Sequence, residues 1–243
     1  MNIQDAIMII ILGFLAFYFI WWPDLKRTIS LKSKAKELNI PFYTKGDESL
    51  LDKLKYFYLF SISDRHNIKN MLHHETEDID TAFFDYYYTI GHHVYCHSSE
   101  SFKDGSTRFR QSIIYFCSTK LDLPQFVLQP EKEFHQIEDL QDIDFIDYPK
   151  FSDKYLLQGN PEESIRKLFN KELIEFFESI SELELCAEGG GDQIIIYKLN
   201  ERIDPNELNK FMDKGMEVFS KFTKLTQSTL MNLTEALSKN GIL

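Results

Sequence analysis

Cations are scarce in this chain of 243 residues: 27 Lys and Arg stand against 38 Asp and Glu, a formal net charge of −11. That deficit argues against a broad nucleic-acid surface, whose affinity comes largely from clustered Lys and Arg, and nucleic acid is not an expected partner. Cysteine is also rare. Three thiols, an odd number, do not make a disulfide framework and fit a reducing compartment. Cys117 in IIYFC and Cys186 in LELCAE read as buried free thiols on strands. Glycine and proline are few, and no repeat or low-complexity block interrupts the chain. Gly189, Gly190 and Gly191 are followed by Asp192 and a strand-like QIIIYKL, with no Lys-Ser/Thr and no helix, which excludes a phosphate loop and predicts a hairpin. The acidic run 131–147 lacks the central glycine and alternating ligands of a calcium loop and reads as a long connection.

Charge is missing from one more place. Residues 6–22, AIMIIILGFLAFYFIWW, carry none, and no Lys or Arg precedes residue 26. As a helix this run reaches about 26 Å, just short of a hydrocarbon core of about 30 Å; Ile3 and Gln4 or local bilayer thinning close the gap. Trp21 and Trp22 stand where an interfacial aromatic belt would place them, and Pro23 ends the run. A cleaved signal peptide would want a basic start and a small-residue cleavage site, whereas this start carries Asp5 and ends in Trp-Trp-Pro. Lys26, Arg27, Lys32, Lys34 and Lys36 follow, a collar that by the positive-inside rule leaves the N-terminus outside and the bulk of the chain in the cytoplasm, as in a bacterial inner membrane. Trp21, Trp22, Lys26 and Arg27 are the expected membrane-interface residues, and the lipid bilayer the expected partner.

Beyond the collar, residues 24–50 read as a basic stalk. LLDKLK is helix-like. YFYLFSI, NIKNML, IDTAFFDYYYTI, RFRQSIIYFCS and PQFVLQ are rich in aromatic and β-branched residues between polar turns, which predicts antiparallel strands. YLLQ reads as a further strand. Asn160, Pro161, Glu162 and Glu163 then open a helix over about 161–180, whose apolar stripe runs from Ile165 to Phe177. Asp204-Pro205-Asn206-Glu207 caps a second long helix reaching toward residue 238.

RQSIIYFCSTKLDLPQFVLQPE, DIDFIDYPKFSDKYLLQGNPEESIRKLF and LCAEGGGDQIIIYKL with DPNELNKFMDKG resemble a family of uncharacterised bacterial single-pass membrane-anchored proteins, and FFDYYY upstream fits the same pattern. The resemblance spans about residues 83–222. It implies a hydrophobic N-terminal segment and carries no known reaction, cofactor or catalytic residue. The histidines at 73–74 and 92–97 depart from it.

Five of the seven histidines fall within residues 71–97, among carboxylates and Cys96. With IDTAFFDYYYTI extended, about 12 residues at roughly 3.3 Å each would hold the two histidine groups about 40 Å apart, far beyond one zinc shell. His93, Cys96 and His97 remain as a local metal-ligand alternative. Asp85, mid-strand between aromatics, needs a cationic partner if buried, and Arg108 or Arg110 on the next strand is the expected one.

The sequence therefore predicts a transmembrane anchor (1–23), a basic stalk (24–50) and a soluble α+β domain (51–243) with an antiparallel sheet packed against two main helices. Its expected role is a membrane-tethered cytoplasmic binding or scaffold domain, without cofactor or catalysis, meeting another membrane or cytoplasmic protein. The alternative is a metal-dependent hydrolase using His93, Cys96 and His97.

Overall fold

The computed structural model of the chain describes residues 4, 5, 8, 12, 13, 18, 21–46, 48–63, 65–91, 106–131 and 141–239, and the side chains of all these except 48, 91, 106 and 227–239. Its elements are α1 (Trp22–Glu37), β1 (Phe42–Lys45), α2 (Glu48–Leu54), α3 (Tyr58–Ser61), β2 (Arg65–Glu75), β3 (Asp80–Gly91), β4 (Ser106–Cys117), β5 (Leu123–Pro130), α4 (Pro149–Ser152), β6 (Tyr155–Asn160), α5 (Glu162–Leu168), α6 (Lys171–Ser179), β7 (Cys186–Gly191), β8 (Gln193–Tyr197) and α7 (Leu208–Lys239). The fold is α+β. One sheet of eight strands, ordered β1-β2-β3-β4-β8-β7-β5-β6, is antiparallel throughout. The late β7–β8 hairpin slots between β4 and β5, so the sheet closes only when residues beyond 186 are in place.

Strand runs such as IIYF are apolar at every position because both faces of the sheet are covered. On one face Phe83, Ile114, Phe116, Ile194 and Ile196 meet Leu31 and Ala35 of α1, Leu173 and Phe177 of α6, and Phe211, Val218, Phe219 and Phe222 of α7. On the other, Ala82, Phe84, Tyr86, Ile113, Tyr115 and Ile195 meet Leu50 and Leu54 of α2 and Leu59 and Phe60 of α3. The alternation 82/83/84 and 113/114/115 follows the two-residue period of a strand. The glycine triplet is the expected hairpin: Gly191 turns it with φ +59, and Gly189 has no room for a side chain, since a Cβ there would stand 2.4 Å from Cε1 of Phe126.

Several expectations need correction. YFYLFSI is not a strand; Phe57, Leu59 and Phe60 are buried together, which one short helical turn achieves and an alternating strand does not. The helix expected over 161–180 is two. The chain leaves helical geometry at Phe169 (ψ 63), and Asn170 caps α6 by accepting the Leu173 N–H at 3.1 Å. The thiol of Cys186 is buried, but that of Cys117 is only half so. Most consequential, residues 24–50 are not a stalk. Leu31 and Ala35 are 0% and 1% exposed in the main core, β1 pairs with β2, and Leu54 of α2 closes the other face. With α1 lying over the sheet, three principal helices rather than two cover that face. Among the described residues no helix is long and apolar enough to cross a membrane; most of the expected anchor, 6–22, lies outside them.

Leu31→Ala tests whether α1 belongs to the folded unit. Loss of about 2–5 kcal/mol of unfolding free energy in the full chain, followed by denaturant titration, is expected for a fully buried leucine. A change within a few tenths of a kcal/mol, typical of a surface position, is the contrary result.

Candidate functional site

The polar heart of the molecule forms where α1 crosses β3 and β4. At Asn70 the β2 register slips relative to β3, and this residue takes a positive φ of 54, which asparagine tolerates better than most side chains. The slip aims its amide inward to donate to Asp85 at 2.8 Å. Asp85 is 0% exposed. Arg27 of α1 grips it from above, Nε to Oδ2 at 2.7 Å and Nη2 to Oδ1 at 2.6 Å, while Ser112 on β4 donates to Oδ1 at 2.9 Å. The remaining guanidinium nitrogen, Nη1, donates to the carbonyl of Ile203 at 2.7 Å. Thr28 fixes Asn70 in turn, donating to its Oδ1 at 2.8 Å. A buried carboxylate with four donors, two of them from one bidentate cation, is fully satisfied.

This arrangement revises two expectations. The partner of Asp85 is Arg27, not Arg108 or Arg110, because the β3–β4 register sets Ser112 opposite Asp85 and Arg110 opposite Tyr87. Arg27, expected at the membrane interface with Trp21, Trp22 and Lys26, has its side chain only 9% exposed. Trp21, Trp22 and Lys26 are exposed.

Beside this hub a second pair repeats the pattern. Arg202 donates to Asp24 at 2.7 Å and to the Tyr87 hydroxyl at 2.8 Å. Burial, then the Asp85 charge, pushes the Tyr87 phenol up from its usual range, so it stays protonated and keeps a proton to donate. Further along the same sheet face, Arg65, Thr89 and Arg108 stand opposite one another across β2, β3 and β4, with Asn67, Tyr87 and Arg110 in the adjacent row. Among the described residues no carboxylate pairs with Arg65, Arg108 or Arg110, and all three are exposed. They border an open cleft of about 520 Å³ that Asp24 also lines. The spacing RFR carries the signal in the sequence, since residues two apart on a strand share a face, but the sequence alone points these cations toward Asp85.

The histidine stretch does not assemble among the described residues. His73 bonds Asp80 at 2.6 Å, and His74 follows on the opposite face of β2. Both lie where β3 begins, whereas Gly91 is at its far end. His92, His93, Cys96 and His97 fall outside the described residues, and within these no group of three His, Cys, Asp or Glu is placed to hold a metal.

Among the described residues one further carboxyl group is deeply buried. Glu188 on β7 sits beneath α3, accepting from the Tyr197 hydroxyl at 2.6 Å and from the Leu59 N–H. Burial pushes its carboxyl up to about 7 despite those donors. It pins α3 to the sheet.

No protein-family model matches the chain, and no curated protein matches it. Among solved structures the fold is similar to that of the mycobacterial trehalose monomycolate transport factor A, TtfA, with a TM-score of 0.55 at 12% identity, over 82% of this chain and 93% of that one. At that identity the likeness is one of fold.

Glu188 predicts a pH dependence with a defined sign. Its folded value near 7 lies above the ordinary 4.5, so its ionisation penalty is absent below about pH 4.5, grows between 4.5 and 7, and is complete above. Glu188→Gln removes that penalty: the stability gap between variant and parent shifts toward the variant by about 3 kcal/mol across this window and then levels. Unfolding titrations at stepped pH read it; a gap independent of pH is the contrary result.

Proposed function

We propose that this chain is a membrane-tethered, non-enzymatic binding domain held against the cytoplasmic face of a bacterial inner membrane. The observation that carries the reading is α1. It starts directly after the apolar run, and its inner side is built into the domain through Arg27, Leu31 and Ala35. Its outer side presents Trp22, Leu25 and Ile29, exposed and spaced three and four residues apart along one stripe, with the Tyr18 ring stacked on Trp22 at 6.5 Å. Trp21 adds a second exposed indole. Such a stripe, opening from a charge-free segment and continuing into Lys32 and Lys36, suits the boundary between lipid and water. With no linker between run and fold, the domain would be oriented by its own anchor rather than swing from it.

The binding role is supported by what the polar groups are used for. Arg27, Asp85, Asn70 and Ser112 satisfy one another, as Arg202, Asp24 and Tyr87 do, which fits positioning better than turnover. The solved structure with the similar fold is described as a transport factor for trehalose monomycolate, a role compatible with recognition without chemistry.

Two measurements test the reading. Full-length chain in native membranes is expected to stay with the pellet through high-salt and alkaline washes, and purified full-length chain is expected to show no turnover in a broad hydrolase screen. Release into the wash contradicts the tether. Turnover that disappears on one substitution contradicts the binding role, and stoichiometric metal lost on changing His93 or His97 would transfer the assignment to the hydrolase alternative.

A further inference from the structure

We propose that the cleft bounded by Arg65, Arg108 and Arg110 binds the phosphate of an anionic lipid headgroup. The inference rests on the tethered reading above and names what the tethered domain holds.

The charge balance on this sheet face is the first ground. Among the described residues two carboxylates lie here, Asp85 and Asp24, and each is already matched, by Arg27 and by Arg202. Arg65, Arg108 and Arg110 are left over, and the ammonium of Lys69 sits 5.0 Å from the Tyr87 ring centroid alongside them. A surplus of this sign on a chain of net charge −11 is a local feature, with no ion-paired counter-charge among the described residues. Like charges in adjacent rows repel, and an external anion relieves that repulsion.

The second ground is geometry. Arg65 and Arg108 flank Thr89 from the two neighbouring strands, roughly 10 Å apart at the backbone, and Arg110 stands roughly 7 Å along from Arg108 on the same face. Three guanidinium groups thus line one opening, Arg65 from β2 and Arg108 and Arg110 from β4, each able to give two parallel N–H donors to phosphate oxygens. The floor adds donors: the Tyr87 hydroxyl, which already accepts from Arg202, and the side chains of Thr89 and Asn67. Asp24, the carboxylate among the lining residues, is held by Arg202.

Location selects the source of the phosphate. Asp24 is both a cleft residue and part of the first turn of α1, within about one turn, ~5.4 Å, of the exposed Trp22 and Leu25. A lipid whose acyl chains meet that apolar stripe would carry its headgroup to the arginines. A soluble anion gains nothing from this adjacency.

The test uses the full chain in nanodiscs of zwitterionic phosphatidylcholine containing a fluorescent phosphatidylglycerol, with headgroup association read by energy transfer from Trp21 and Trp22. The parent is expected to enrich the anionic lipid. Arg65→Gln, Arg108→Gln and Arg110→Gln each weaken this about five-fold, and the triple variant abolishes it. Lys167→Gln, an exposed cation remote from the cleft, leaves it unchanged. Thermal unfolding of the triple variant is expected to match or exceed the parent, because like charges have been removed. Equal enrichment by parent and triple variant, or none by the parent, overturns the proposal. Displacement of the lipid by inorganic phosphate at a comparable concentration assigns the cleft to a soluble ligand and overturns the lipid source. Failure of the tether shows differently, as release of parent and variant alike from the discs; the same arginine dependence is then read on water-soluble short-chain phosphatidylglycerol, where its absence overturns the cleft.

Discussion

The pairing of Arg27 with Asp85 sets the conditions for the rest of the structure. A carboxylate in the middle of a sheet, entirely shielded from water, can remain charged only with donors around it and a cation against it. Those groups come from three places, α1, the slipped register of β2 and the facing position of β4, while the Ile203 carbonyl just before α7 accepts from the third guanidinium nitrogen of Arg27. Such a pair adds little net stability over an apolar substitute of similar shape, since both ions lose their hydration. Its effect is on position. A bidentate fork holds one rotation and one height of the helix on the sheet, where apolar packing alone tolerates small slides.

That single position has consequences at both ends of α1. Toward the C-terminus it lowers Leu31 and Ala35 into the core beside Phe83 and Phe211, joining the first elements of the chain to the last. Toward the N-terminus it turns Trp22, Leu25 and Ile29 outward and brings Asp24 to Arg202. Because Asp85 is neutralised by Arg27 and Asp24 by Arg202, the exposed arginines of β2 and β4 have no carboxylate partner among the described residues. The open end of the sheet is cationic because the closed part is balanced.

Much of the strand pattern could be read from the residues. IDTAFFDYYYTI, RFRQSIIYFCS and the GGGD hairpin appear as β3, β4 and β7–β8, since alternation and turn chemistry are local properties. The short strand β1 and the single turn α3 were not legible: four residues give no period, and aromatic content favours a strand unless burial of Phe57 with Phe60 is known. The stalk expectation failed for a related reason. LKSKAKE is polar along most of its length, and its inward stripe, with Leu31 and Ala35, is too narrow to stand out from its cations. The partner of Asp85 was out of reach because it depends on a helix arriving from 58 residues away. The cleft arginines were visible as RFR, but only the observed register frees them from Asp85.

The most direct measurement is a double-mutant cycle on Arg27→Met and Asp85→Leu, with unfolding free energies measured on the full chain. Each single change should cost about 3–5 kcal/mol by stranding a buried charge, while the double variant should recover most of that loss because neither charge remains. Losses that simply add would mean that α1 and the sheet are not joined through this pair.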